Sequence, residues 1–159
     1  MEVTALKILV SACLMGHACR YDGHAKVCEK ILRLAGAHTL IPFCPEIYGG
    51  LPTPRMPCEC KDGRVLRADG ADCTAAYQKG AAEALALCRR LEIRTAILKA
   101  RSPSCGHGQI YDGTFTGRLV RGDGVTAALL LQNGVAVYSE EDRDFLEPSA
   151  EASSAFFAK

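Results

Sequence analysis

The chain has almost no excess charge of either sign: nineteen Lys and Arg face eighteen Asp and Glu, for a net charge of +1. An extended nucleic-acid surface needs a basic face, so this balance argues against one, although a small nucleic-acid-derived ligand stays open. Long hydrophobic runs are also missing. No stretch reaches the roughly eighteen apolar residues that a membrane helix needs, which argues against membrane association. The N-terminus, MEVTALKILVSACLMG, has no basic leader and no small-residue cleavage site, and Lys7 interrupts the apolar run that begins at Leu6. It reads as a first strand and not as a secretory signal, so the expected location is the cytoplasm. There is no internal repeat. Nor does the composition suit a disordered chain, with 48% hydrophobic and 23% charged residues,. A length of 159 residues suits one domain, expected over 1–147 with a tail at 148–159,.

Cysteine is abundant, with nine in the chain. The number is odd and nothing directs the chain out of the cytosol. Reduced thiols acting as metal ligands, nucleophiles or core residues therefore fit better than disulfides.

The apolar run Leu6 to Ser11 predicts a buried strand. Residues 25–35 carry Val27, Ile31, Leu32 and Leu34 near helical spacing, with Gly36 as a stop,. Residues 39–43 (TLIPF) predict a second strand, ended by Pro45, and 49–70 read as loop, with glycines at 49 and 50 and prolines at 52, 54 and 57,. A long helix is expected over 72–91 on the face Cys73, Tyr77, Ala81, Ala84, Cys88 and Leu91,. A third strand follows at 95–99, then a glycine-rich hairpin or flap over 106–122, a helix over 125–132 and a fourth strand at 135–139. A last short helix is expected at 141–146. Strand and helix alternate with crossovers long enough for parallel pairing, the pattern of an α/β, Rossmann-like three-layer domain with a mostly parallel sheet.

In such folds ligands bind beyond the carboxyl ends of the strands. The first three strands each run into a cysteine: Cys13 after the first, Cys44 in Cys44-Pro45-Glu46, and Cys105 in Ser102-Pro103-Ser104-Cys105. Folding would gather these three on one edge. Taken by themselves they admit several readings. Three thiolates can hold three irons of a [4Fe–4S] cluster and leave the fourth iron without a protein ligand, whereas ordinary ligation uses four Cys. Three thiolates and a water can hold zinc. Two can form a redox pair, or all three can be buried small hydrophobes.

The segments SACLMGHACRYDG, CPEIYGGLPTPR, RSPSCGHGQIYDGTFTG and GDGVTAALL, in this order over about residues 7–140, resemble the family of small domains that includes the 2-thiouracil desulfidases. The resemblance implies a [4Fe–4S] cluster on Cys13, Cys44 and Cys105 with an open fourth iron. It places Glu46 and Ser102 where that family's catalytic residues are assigned. Cys58 and Cys60, in PRMPCEC, depart from the family pattern.

The chemistry so implied replaces C=S by C=O without net electron transfer, on a small thiolated pyrimidine. An open iron would polarise the thiocarbonyl as a Lewis acid. Glu46 would take the proton of the attacking water, and Ser102 would orient water or relay a proton. Arg20, Asp22 and Ser104 are candidates for holding a uracil-like ring by its polar edge. As plain structure, Glu46 would cap the next segment, Ser102 would form a turn, and Arg20 with Asp22 would brace a loop. Cys73, Cys88 and Cys28 read as core or inert, Cys19 as a neighbour of Cys13 outside the ligand set, and His107 as a solvated loop residue. Rival functions are a desulfidase for another thiolated nucleoside or nucleotide, a sulfur or cluster carrier, and a zinc or thiol redox protein. Basic residues lining the pocket would favour a nucleotide over a free base.

Overall fold

A computed structural model of the chain describes residues 5–142. In chain order the described elements are β1 (Lys7–Ser11), α1 (Glu29–Leu32), β2 (Thr39–Phe43), α2 (Pro45–Tyr48), β3 (Cys58–Lys61), β4 (Arg64–Arg67), α3 (Thr74–Leu91), β5 (Thr95–Leu98), β6 (Gln109–Tyr111), β7 (Leu119–Arg121), α4 (Val125–Gln132) and β8 (Ala136–Ser139). Short 3-10 turns occupy Ala12–Met15 and Arg33–Gly36. Most of the expected final helix at 141–146, and the tail, lie outside the described residues.

Four strands pair in parallel in the order β2-β1-β5-β8. From β1 the chain moves to β2 on one side and then crosses to β5 on the other. The crevice beyond the carboxyl end of β1 is therefore the switch point at which this class of sheet binds ligands. Alternation along β1 separates the two faces. Leu9 packs with Ala84, Leu85 and Cys88 of α3 and with Ala127 and Leu130 of α4. Ile8 and Val10 point the other way, onto Leu14 and Ile31. Helix, sheet and helix make three layers, as the alternation of elements implies. Pro42, which has no N–H to donate, is tolerated because β2 lies at the sheet edge,.

Helix α3 begins where Asp72 Oδ1 accepts the Thr74 amide at 2.9 Å. It ends at Glu92, which takes up the left-handed conformation (φ +57°) of a C-terminal cap,. Its buried face is Tyr77, Gly80, Ala81, Ala84, Leu85 and Cys88. Helix α4 and strand β2 fall where the sequence places them.

Two segments differ from the sequence reading. The helix expected over 25–35 contracts to one turn, Glu29–Leu32, followed by the 3-10 turn. The Lys26 amide donates to the Cys13 carbonyl and the Cys28 amide to the Leu14 carbonyl, each at 2.9 Å. With its first donors committed to the loop after β1, this segment runs extended. The second difference is within 49–70, where β3 and β4 form an antiparallel hairpin. Asp62 (φ +50°) and Gly63 (φ +76°) make its turn. Asp-Gly between two extended runs is the local signal that the many prolines obscured. The glycine-rich stretch forms the second hairpin, β6–β7.

Candidate active site

A cavity of about 600 Å³ lies beyond the carboxyl ends of β1, β2 and β5, and Cys13, Cys44 and Cys105 all line it. Each is positioned by the backbone that follows its strand. Cys13 sits in the 3-10 turn after β1. Cys44 precedes α2, whose Tyr48 ring stacks on Phe43 with centroids 4.3 Å apart. Cys105 is held by the loop after β5. There the Ser102 hydroxyl oxygen accepts the amides of Ser104 (3.1 Å) and Cys105 (3.0 Å). The carbonyls of Pro103 and Ser104 in turn accept the first amides of α4, from Val125, Thr126 and Ala127. Gly124 permits this contact, since a Cβ there would stand 2.5 Å from the Ser104 carbonyl. Ser11 Oγ accepts the Lys99 amide at 2.8 Å and joins the ends of β1 and β5.

Two of these thiols, Cys44 and Cys105, are held in the neutral form. Burial pushes the Cys105 thiol up to about 12, against hydrogen bonds from Ser11 and Ser104 that lower it. A hydrogen bond with Cys19, and then burial, hold the Cys44 thiol well above its ordinary range. Thiols of this kind become thiolates when a cationic centre supplies the compensating charge. Among the described residues no group of three His, Cys, Asp or Glu side chains converges closely enough to hold a single ion. Three thiols ranged around a cavity of this size instead suit a polynuclear group several ångströms across, and iron–sulfur clusters take thiolate ligands. The donor set fits a cluster.

Cys19 also lines the cavity. Hydrogen bonding to Cys13 is the largest influence on its thiol, which is pushed up to about 11. Cys58 lines the cavity as well. Cys60 lies behind it and donates to the Pro103 carbonyl at 3.4 Å, joining β3 to the Cys105 loop. Cys73 packs beside Cys58, while Cys88 is in the main core. Cys28 flanks the second core cluster. His107 does not line the cavity, and its ring bonds Asp123 at 2.7 Å.

Glu46 and Ser102 line the cavity with the cysteines, as does Arg20. Asp22 does not; it faces solvent, accepts the His24 amide at 3.0 Å and lies 3.7 Å from the Arg20 guanidinium. Ser104 is fully buried behind the wall, where its hydroxyl lies 3.5 Å from Cys105 Sγ and 3.3 Å from Thr126 Oγ1.

Two partners of Glu46 escaped the sequence reading. The Tyr77 hydroxyl donates to Glu46 Oε1 at 2.6 Å, and Arg55 Nε donates to the same oxygen at 3.3 Å. Arg55, whose side chain is 6% exposed, also donates to the carbonyls of Cys19 (2.9 Å) and Pro52 (3.0 Å) and to Thr53 Oγ1 (3.0 Å). Burial, and next the Glu46 charge, hold Tyr77 far above its ordinary range, so it remains a donor. Among the described residues no side chain donates to Glu46 Oε2, which leaves that oxygen free to accept. The only sequence signals for this arrangement were an arginine at the end of CPEIYGGLPTPR and a tyrosine on an apolar helix face.

Among the described residues no helix is long and apolar enough to cross a membrane. A family model described as 2-thiouracil desulfurase matches residues 8–142. An uncharacterized protein, YbbK of Bacillus subtilis (strain 168), is 44% identical over 145 residues, covering 85% of this chain and 96% of that one. A solved structure of the [4Fe–4S]-dependent thiouracil desulfidase TudS superposes with a TM-score of 0.83 at 44% identity, covering 97% of this chain and 99% of that one. The three-layer fold is thus that of TudS, and this chain belongs to the 2-thiouracil desulfurase family.

Proposed function

We propose that this protein is a cytoplasmic thiouracil desulfidase that holds a [4Fe–4S] cluster on Cys13, Cys44 and Cys105, leaves one iron without a protein ligand, and releases the thiocarbonyl sulfur as hydrosulfide without net electron transfer. One observation carries the reading: in a chain 44% identical to a [4Fe–4S]-dependent thiouracil desulfidase, the three strand-end thiols and Glu46 line one cavity. When bound, such a cluster supplies a Lewis acid with affinity for sulfur, which polarises C=S.

The residues of the chain do the rest. Tyr77 and Arg55 hold Glu46 by Oε1 in the cavity lining and leave Oε2 to take a proton from water as the water oxygen bonds to the thiocarbonyl carbon,. The carbon–sulfur bond then breaks and its electron pair leaves with sulfur. Thiocarbonyl plus water gives carbonyl plus hydrosulfide and a proton, so no redox partner is needed. Ser102 already accepts two amides, which fill both lone pairs, so its hydroxyl proton is left to donate into the cavity,. It serves as a donor to substrate. Arg20 contacts the polar edge of the ring, with Asp22 steadying its guanidinium. Ser104 acts on Cys105 from behind.

Five cations line the cavity: Arg20, Lys26, Arg55, Lys99 and Arg101. Four of them face carboxylates, at Asp22, Glu46, Glu140 and Glu141 respectively for Arg20, Arg55, Lys99 and Arg101. That pairing weakens the case for a phosphate cradle and favours the free base over a nucleotide.

The test is iron and sulfide analysis with thiouracil turnover on anaerobically reconstituted protein. Near four irons and four sulfides per chain are expected, as the cluster stoichiometry requires. Glu46→Gln should keep the cluster and lose about 10²–10⁴-fold in turnover, the range of proton-transfer help. A cluster carrier would be indifferent to that change, and a protein that binds only zinc would end the proposal.

A further inference from the structure

The cavity is unusually rich in rings. Of the seven described aromatic residues only Tyr48 and Tyr138 lie elsewhere; Tyr21, Phe43, Tyr77, Tyr111 and Phe115 all line it. Phe43 and Tyr77 are buried in the wall. Tyr111 and Phe115 come from the hairpin β6–β7 and its tip. Phe115 is 37% exposed, and no described ring stacks against it.

Phe115 is also conformationally unusual, with φ +59°, in the left-handed region that a bulky residue rarely adopts,. Three other non-glycine residues share that region. Asp62 makes a hairpin turn and Glu92 caps a helix, both routine uses,. The remaining two, Arg101 and Phe115, both line the cavity. Unusual backbone confined to a site is held there by its surroundings, and here the support is visible. Glu59 Oε1 accepts the amides of Gly113 (2.9 Å) and Phe115 (3.1 Å), tying the hairpin tip to β3. Asp112 Oδ1 accepts the Thr114 amide at 2.9 Å, and the Asp112 amide donates to the Arg118 carbonyl at 3.0 Å. A Cβ on Gly113 would stand 2.6 Å from Lys61 Cβ and 2.9 Å from the Cys60 carbonyl oxygen, so the tip lies directly on β3.

We propose that Phe115 is a fixed stacking platform for a planar heteroaromatic ring, and that this hairpin tip selects substrate by ring planarity. The inference rests on the desulfidase reading for the identity of the ring, and it goes beyond that reading by naming the determinant of specificity. The tip is a roof anchored by Glu59 and not a swinging flap, so the platform is present before substrate arrives. Stacking distinguishes ligands that share a polar edge but differ in flatness. Uracil is planar, whereas 5,6-dihydrouracil has the same urea-type edge on a puckered ring.

The experiment is calorimetric binding of uracil and of 5,6-dihydrouracil to the cluster-loaded protein and to Phe115→Ala, Phe115→Leu and Phe115→Tyr. Phe115→Ala should weaken uracil about 5- to 150-fold, the range for a base on an aromatic ring, and dihydrouracil much less. Phe115→Leu, which keeps bulk without planarity, should resemble Phe115→Ala, and Phe115→Tyr should restore uracil binding. With 2-thiouracil, Phe115→Ala and Phe115→Leu should raise KM and leave kcat nearly unchanged, and Phe115→Tyr should keep the parental KM. Equal losses for both ligands, unchanged uracil binding, or no preference for uracil in the parent protein would overturn the inference. Failure of the desulfidase reading would register separately, as absent turnover in cluster-loaded parent protein.

Discussion

Gly80→Ala is the sharpest test of how the fold positions the site. Gly80 lies on the buried face of α3, against the first residue of α2. A Cβ at this position would stand 1.9 Å from the Pro45 carbonyl oxygen and 2.7 Å from its carbon, where real contacts begin near 3.0 Å. The obstacle is backbone, so no side chain can rotate out of the way. Helix α2 must retreat by about 1.1 Å. That movement carries Cys44 and Glu46, which flank Pro45, and stretches the 2.6 Å bond from Tyr77.

For stability, two effects oppose each other. Replacing glycine by alanine inside a helix gains about 1 kcal/mol. Overpacking costs about 1–3 kcal/mol. The net loss is then at most about 2 kcal/mol, or no more than about 8 °C in Tm for a chain of this size. Activity is more sensitive, since misplacing a reacting group by about 1 Å costs about 10²-fold. The expected outcome is a folded protein with a modestly lower Tm and about a hundredfold less thiouracil turnover, followed by ultraviolet absorbance. Gly36→Ala is the control, because a Cβ there meets nothing within 4 Å. If Gly80→Ala kept parental turnover at parental Tm, the proposed coupling of α3 to the Cys44–Glu46 turn would be wrong.

Tyr77→Phe removes one donor from Glu46 Oε1 while Arg55 keeps the other. Hydrogen bonds to a charged group contribute about 1.5–3 kcal/mol, so kcat should fall about 10- to 150-fold with iron content and KM little changed; a fall in iron content instead would mean that Tyr77 is merely structural. In iron-free protein, iodoacetamide should modify Cys105 slowly at pH 8. With its thiol pushed up to about 12 by burial, only about one molecule in ten thousand is thiolate there,. The rate should climb about tenfold per pH unit toward pH 12, as read by peptide mass spectrometry; rapid labelling at pH 8 would contradict the burial of this thiol.

Much of the architecture was legible because its causes are local. The apolar run of β1 and the period of α3 each lie within one element. Their alternation then implied a parallel three-layer sheet and put Cys13, Cys44 and Cys105 at three strand ends. The hairpin β3–β4 had a local signal as well, at Asp62-Gly63, but the surrounding prolines outweighed it. Residues 25–35 carried a helical pattern, yet their amides are captured by the carbonyls of Cys13 and Leu14, which the pattern of side chains could not disclose.

The remainder was decided only by tertiary structure. Glu46 was singled out from its place beside Cys44, but Arg55 and Tyr77, nine and thirty-one residues away, meet its Oε1 only when α2 packs on α3. Ser104 and Asp22 read as polar residues suited to a ring edge, whereas packing buries one and turns the other to solvent. Phe115 looked like one residue in a glycine-rich loop until Glu59 tied that loop over the cavity. Local periodicity and strand ends specify which residues can approach a site. Which of them face it depends on hydrogen bonds and backbone contacts between segments far apart in sequence, and these form only once the layers have packed.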